Sequence, residues 1–244
     1  MKKHLVLSIA LAVCAAFIKP DKKITIWMIG DSTMANKQEK AFPETGWGMA
    51  FGQFFNKDVT IDNRAQNGRS TLSFINEKRW DEVYNNLKEG DYVFIEFGHN
   101  DEKIDKPGVG VSIDEYKKNL SRFVNEARSK KAIPVLLTPI TRRSFKNGVF
   151  TETHGLYPDA VRTVADSLHV PLIDMHKKSI ALITSMGDEP SKALYNYLEA
   201  GHKNYPEGKK DDTHFSPLGA KKIAALAVEG IKELKLDLVK YLIN

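Results

Sequence analysis

The feature that most constrains this chain is a repeated change of period, in which short apolar β-rich runs alternate with longer amphipathic stretches. That pattern belongs to a three-layer α/β/α sandwich, a parallel sheet covered by helices on both faces. Five strands are expected, at Ile24–Ile29, Val59–Asn63, Tyr92–Phe97, Ile133–Thr138 and a short one near Val170–Ile173. Tyr92-Val93-Phe94-Ile95 and Ile133-Pro134-Val135-Leu136-Leu137 are continuously apolar, as strands buried on both faces must be. Pro134 lacks an N–H and therefore has to lie at a strand start. Helices are expected near Trp47–Phe55, Trp80–Leu87, Ile113–Ala127, Tyr157–Leu168, Ser179–Tyr197 and Pro217–Leu234. Ser112-Ile113-Asp114-Glu115 matches a capping box, and Ser216-Pro217 supplies an N-cap followed by Pro at the first helical position. The longest irregular stretches, Asp101–Gly110 and Pro139–Leu156, follow strands and are natural substrate-contacting loops.

A chain of 244 residues, 42% hydrophobic and 27% charged, can bury a core of ordinary size for one α/β domain, expected here over residues 18–244. Residues 1–17 read differently. A short basic start, Met1-Lys2-Lys3-His4, precedes the apolar run Leu5–Phe17, which is too short to span a bilayer comfortably and carries small residues at Ala12, Ala15 and Ala16. This is the pattern of a secretory signal peptide, so the protein is expected to be exported to the periplasm or beyond the cell. Cys14 is the only cysteine and lies in this leader. Cleavage beyond it leaves no thiol for catalysis or metal binding, whereas the loose lipobox Leu11-Ala12-Val13-Cys14 offers lipid anchoring as the alternative. The formal charge of +5 falls to +3 without Lys2 and Lys3, a mild balance compatible with an acidic polymer as substrate. No motif for nucleic acid is present, and oligomeric state is not readable.

Chemistry-bearing residues fall at the ends of successive strands. Gly30-Asp31-Ser32-Thr33 follows the first strand and leaves a serine at the carboxyl edge of the sheet, where open α/β sheets bind ligands. Asp and Ser there also serve as ordinary helix caps. Gly68 follows the second strand, where an unobstructed amide can approach a developing oxyanion, or simply make a turn after Asn67. Gly98-His99-Asn100-Asp101 ends the third strand; Asn100 can donate to the same oxyanion, with His99 and Asp101 fixing the loop. Near the C-terminus, Asp211-Asp212-Thr213-His214 places a carboxylate three residues before a histidine, so that Asp211 can orient His214 toward a nucleophile. Such a pair arises by chance about once in a few hundred residues, so the weight comes from the convergence of all four segments.

Those four segments, in this order, resemble the four blocks of the SGNH (GDSL-type) hydrolases, with Ser32, Gly68, Asn100 and His214 at the block positions. The resemblance implies a flavodoxin-like fold and a catalytic triad of Ser32, Asp211 and His214. It further implies an oxyanion hole made by the Ser32 and Gly68 N–H groups and the Asn100 amide, with no cofactor or metal. Gly30-Asp31-Ser32-Thr33-Met34, Gly46-Trp47-Gly48, Gly98-His99-Asn100-Asp101 and Asp211-Asp212-Thr213-His214-Phe215 are similar to the rhamnogalacturonan acetylesterases, which remove acetyl groups from pectin. Thr33 stands where many lipase-like members carry Leu. The expected partner is therefore an acetylated polysaccharide or oligosaccharide; acetylxylan esterase, broad aryl esterase and lipase activities are the alternatives within the superfamily. Arg142 and Arg143 are candidates to pair with galacturonate carboxylates, and Trp47 or Tyr157 to stack on sugar rings.

Two other classes compete. A metal-dependent phosphodiesterase would use His99, Asp101, Asp212 and His214, leaving Ser32, Gly68 and Asn100 without a role. A non-catalytic anion binder would use Gly30-Asp31-Ser32 at a helix start but leaves Asp211 and His214 unexplained. His154, His169, His176 and His202 read as surface or loop residues.

Overall fold

The computed structural model describes residues 23–243; the expected leader at 1–17, Cys14 included, lies outside the described residues. In chain order the elements are β1 (Ile24–Gly30), α1 (Trp47–Phe51), β2 (Val59–Asn63), α2 (Thr71–Asn76), α3 (Arg79–Asn86), β3 (Tyr92–Glu96), α4 (Ile113–Ser129) and β4 (Ile133–Leu137). A small hairpin, β5 (Phe145–Lys146) and β6 (Val149–Phe150), precedes α5 (Tyr157–Leu168), β7 (Leu172–Ile173), α6 (Met175–Met186), α7 (Asp188–Ser191) and α8 (Pro217–Glu233). The main sheet has the order β2-β1-β3-β4-β7 and is parallel throughout.

Side chains alternate across this sheet with period two, and both faces are buried. Ile24, Ile26 and Met28 of β1, with Tyr92 and Phe94 of β3, join one core beneath α1, α6 and α8. Trp27 and Ile29, with Val93 and Ile95, join the other beneath α3, α4 and α5. Pro134 is the second residue of β4 rather than the first. Its ring faces no missing bond: Ile133 N–H donates toward β3, to Asp91 O, and Leu136 N–H donates the other way, to Pro171 O. Position 134 therefore points toward β7 before that strand has begun.

Where the elements differ from the sequence reading, local chemistry explains it. The helix expected over Ser179–Tyr197 starts earlier, because Asp174 caps it by accepting from Lys177 N–H at 3.1 Å, and it stops at Gly187. Helix α2 was not foreseen. Its cap is Ser70 paired reciprocally with Ser73, a serine doing the work expected of Glu or Gln at that position. The Ser112 and Ser216 caps are present, accepting from Glu115 N–H (3.2 Å) and Gly219 N–H (3.1 Å). Among the described residues no helix is long and apolar enough to cross a membrane.

Strand order reverses between β1 and β3, whose carboxyl ends open the crevice that binds ligands in such sheets. The turn leaving β1 is tied down from below. Asp31 Oδ1 accepts from the Thr33 N–H and hydroxyl, both at 2.9 Å, and that hydroxyl also lies 3.1 Å from Glu96 Oε1 at the end of β3. Trp47 Nε1–H of α1 donates to Glu96 Oε2 at 3.0 Å. All four residues are essentially without solvent exposure. Burial, and then the neighbouring Asp31, push the Glu96 carboxyl up to about 8. Burial also opposes charge on Asp31, but His99 and the Thr33 donors hold it well below the usual carboxylate range. Thr33 has a single hydroxyl proton; ionised Asp31 takes it, and Glu96 carries its own proton.

This arrangement sets a pH dependence. Between Glu96's ordinary value of 4.5 and about 8, the unfolded chain has lost the proton that the folded protein retains, so stability falls as pH rises through that window. Asp101, pushed up to about 7 by burial, adds to the same slope. Glu96→Gln is expected to flatten the decline in unfolding free energy between pH 5 and pH 8, leaving the Asp101 share and, below about pH 6.5, the opposing share of His99, which burial holds neutral down to about 4. Urea unfolding of both proteins across that range checks it, and parallel curves would refute it.

Candidate active site

Ser32 leaves β1 half-buried, with its hydroxyl 2.9 Å from His214 Nε2. His214 arrives from 182 residues away, on the short segment that precedes α8. Backbone pairing holds that segment in place: Thr45 N–H donates to Phe215 O at 2.9 Å and Asn196 N–H to His214 O at 2.8 Å. Asp211 Oδ2 lies 2.9 Å from His214 Nδ1, while its Oδ1 accepts from the N–H groups of Thr213 (2.9 Å) and His214 (3.0 Å). Burial works against charge on Asp211, yet the His214 ring and these two N–H groups outweigh it and hold the carboxyl well below the usual range. A permanently ionised Asp211 keeps the proton on Nδ1 and turns the Nε2 lone pair toward Ser32 Oγ.

Three N–H groups are candidate oxyanion donors. The Ser32 and Gly68 backbone N–H groups have no hydrogen-bond partner among the described residues. Gly68 has φ +76°, the left-handed region, with open space where a Cβ would stand. Asn100 is buried, and its amide is clamped at both ends: Nδ2 donates to Arg69 O at 3.0 Å and Oδ1 accepts from Lys103 Nζ at 2.8 Å. One Asn100 N–H is thereby left for a reacting atom. Asp101 fixes the same loop by accepting from the Thr71 N–H (2.9 Å) and hydroxyl (2.6 Å) at the start of α2. Such preset donors stabilise the oxyanion of an acyl-transfer transition state without reorganising.

Three of the four candidate substrate contacts are not disposed as the sequence suggested. Trp47 is fully buried against Phe51 and Glu96, so no sugar can stack on it. Tyr157 is buried too, its hydroxyl donating to Val111 O (2.6 Å) and Asp101 O (3.2 Å). The Arg143 guanidinium is enclosed by Asp188 and Asp212, the latter at 2.7 Å, and serves as a structural ion pair. Arg142 is more open but is paired with Glu102. His154 and His176 are likewise interior residues: His154 sits between Glu102 (2.8 Å) and Ile140 O (2.9 Å), and His176 faces Glu152 at 3.0 Å. His169 and His202 are at or near the surface, as expected.

The two long loops meet. A groove of about 790 Å³ is lined by Glu102, Lys103, Ile104 and Ser112 on one side and by Thr153–Tyr157 on the other. Ile104 and Leu156 expose about two-thirds of their surfaces there, 66% and 65%. Lys103 connects the groove to the oxyanion donors through its bond to Asn100. It stood three residues beyond Asn100 in the sequence and carried no motif of its own.

Among the described residues, two groups have metal-compatible spacing, Asp31–Glu96–His99 and Glu44–Asp211–His214. In the first, the carboxylates already serve Thr33 and Trp47, and burial pushes His99 down to about 4 despite the pull of Asp31. In the second, Glu44 is paired with Lys37 and Asp211 with His214. The phosphodiesterase set His99, Asp101, Asp212 and His214 forms no common ligand cluster among the described residues. Asp101 is turned to Thr71, and Asp212 to Arg143 and Tyr197.

Comparison with known proteins agrees with this geometry. The chain is 40% identical over 225 residues to the rhamnogalacturonan acetylesterase RhgT of Bacillus subtilis, covering 91% of this chain and 96% of that protein. It is 34% identical to the probable rhamnogalacturonan acetylesterase YesY of the same organism, covering 90% and 97%. The crystal structure of Bacillus subtilis YxiM shares the fold with a TM-score of 0.76 at 25% identity, over 88% of this chain and 58% of that one. A model of the GDSL-like lipase/acylhydrolase family matches residues 28–222, and the chain belongs to that family.

Proposed function

We propose that this protein is a serine carbohydrate esterase that removes acetyl groups from pectin, with rhamnogalacturonan as the polymer, through an acetyl-Ser32 intermediate. The observation that carries the reaction is the hydrogen-bonded chain Asp211–His214–Ser32, with both contacts at 2.9 Å. His214 Nε2 takes the Ser32 proton as Oγ attacks the acetyl carbonyl, and Ser32 N–H, Gly68 N–H and Asn100 Nδ2 hold the resulting oxyanion. Collapse expels the sugar hydroxyl, which receives that proton from His214. Water, deprotonated by the same imidazole, then attacks the acyl group; acetate leaves and Ser32 regains its proton.

Support for the substrate comes from the 40% and 34% identities to rhamnogalacturonan acetylesterases and from the open groove beside the donors. The acetyl group needs only a shallow site, whereas a polymer needs an extended one. Lys103 gives that groove a cation for a uronate carboxylate, and Ile104 and Leu156 give apolar surface for sugar faces. Export by way of residues 1–17 fits a polymer that does not enter the cell, with anchoring at Cys14 as the variant form.

Ser32→Ala is expected to lower acetate release from acetylated rhamnogalacturonan on the order of 10⁶-fold and to abolish labelling by a fluorophosphonate. Asp211→Asn is expected to cost about 10⁴-fold in kcat. Undiminished turnover in Ser32→Ala, followed by acetate assay, would end the assignment. A panel of acetylated rhamnogalacturonan, acetylxylan and an aryl acetate separates the polymer preference from the reaction. Leu156→Glu, which places a carboxylate in the groove, is expected to raise KM for the acidic polymer by about tenfold through like-charge repulsion, without changing aryl acetate hydrolysis. Equal KM values in the two proteins would remove the groove from the binding path.

A further inference from the structure

Lys37 is a buried cation outside the groups that carry the reaction. Its side chain has 0% exposure. An ammonium has three donor directions, and here each has an acceptor: Ser32 O at 2.5 Å, Asn67 Oδ1 at 2.9 Å and Glu44 Oε1 at 2.8 Å. Each acceptor belongs to a different part of the site. Ser32 is the nucleophile. Asn67 immediately precedes Gly68, so the peptide unit joining them carries the Gly68 N–H. Glu44 stands beside the base, where a carboxylate oxygen of Glu44, one of Asp211 and a ring nitrogen of His214 lie within 4.8 Å of one another. The Glu44 loop is itself fastened to the His214 segment by the pairing of Thr45 with Phe215.

We propose that Lys37 is a positioning residue that holds nucleophile, oxyanion-hole loop and base in one register through this single buried ammonium. The proposal rests on the reading of Ser32 and His214 as nucleophile and base. A lysine taken fully out of water is tolerated only when paired and hydrogen-bonded, so its three acceptors cannot drift apart without stranding the charge. Lys37 has a second, electrostatic task. The charged groups around His214 are Asp211 on its own segment, Glu44 across from it, and Lys209, whose Nζ lies 3.5 Å from Asp211 Oδ2. Lys37 neutralises Glu44, so that Asp211 remains the carboxylate that orients His214. Without that cation, Glu44 would favour the imidazolium and hold the base in its protonated form to higher pH.

The test is steady-state hydrolysis of an aryl acetate by the full chain, with thermal melts recorded in parallel. Lys37→Met is expected to lower kcat by about 10- to 100-fold with KM within about twofold, as misplacement of reacting groups does. The acid limb of its kcat profile moves to higher pH. The double variant K37M/E44Q returns that limb toward the wild-type position while kcat stays low. Two single variants carry the test if Lys37→Met does not fold: Glu44→Gln moves the acid limb to lower pH, and Asn67→Ala lowers kcat several-fold with KM unchanged. An unmoved acid limb in Glu44→Gln together with wild-type kcat in Asn67→Ala would overturn the proposal, as would wild-type kcat and pH profile in Lys37→Met. Ser32→Ala assayed alongside separates the two levels: turnover surviving there overturns the underlying reading, whereas turnover lost there with wild-type Lys37 variants overturns the positioning role alone.

Discussion

The site depends on a proton held beneath it. Asp31, Thr33 and Glu96 crowd two carboxyl groups around one hydroxyl in a space that water does not reach, and only one of the two can be charged there. Because Glu96 keeps its proton, β1 and β3 can bring their carboxyl ends together, and Gly30 allows it sterically: a Cβ there would stand 2.5 Å from Glu96 O. The Ser32 turn therefore rests on a hydrogen-bonded base joining two strands and, through Trp47, the first helix. A nucleophile mounted this way has little freedom to follow a departing substrate, and its geometry is fixed before the substrate arrives.

Above that base, the site works by leaving selected groups unsatisfied. Most polar groups around it are doubly engaged, including the Asn100 amide between Arg69 and Lys103 and the Asp211 carboxylate among three donors. The backbone N–H groups of Ser32 and Gly68, by contrast, have no partner among the described residues. Orphaned donors carry a cost in the resting protein. An acyl-transfer transition state that set its oxyanion against them would make the interaction that is missing at rest.

The sequence made the sheet legible because parallel strands buried on both faces leave unbroken apolar runs, as in Tyr92–Ile95, and strand Val59–Asn63 matched residue for residue. The contact between Ser32 and His214 was legible because each is a chemically distinct residue beside the end of a regular element. Trp47, Arg143 and Tyr157 were misread for one shared reason: each is amphipathic, and which of its ends meets water is decided by partners distant in sequence. Glu96 lies 49 residues from Trp47, and Asp212 lies 69 from Arg143. His154, buried between Glu102 and Ile140, could not be recognised for the same reason. Lys37, in the polar stretch Asn36–Lys40, looks like solvated surface until the fold folds Glu44 and Asn67 around it.

The separation of 182 positions between Ser32 and His214 bears on how the protein is made. A ribosome delivers Ser32, Gly68 and Asn100 early and His214 late, on a segment that reaches its place only by pairing with residues such as Thr45 and Tyr195, and with α8 packed behind it. Until that happens the serine has no base and is an ordinary alcohol. Esterase competence thus arises only at the end of folding, and a chain still emerging from the ribosome carries no hydrolytic activity.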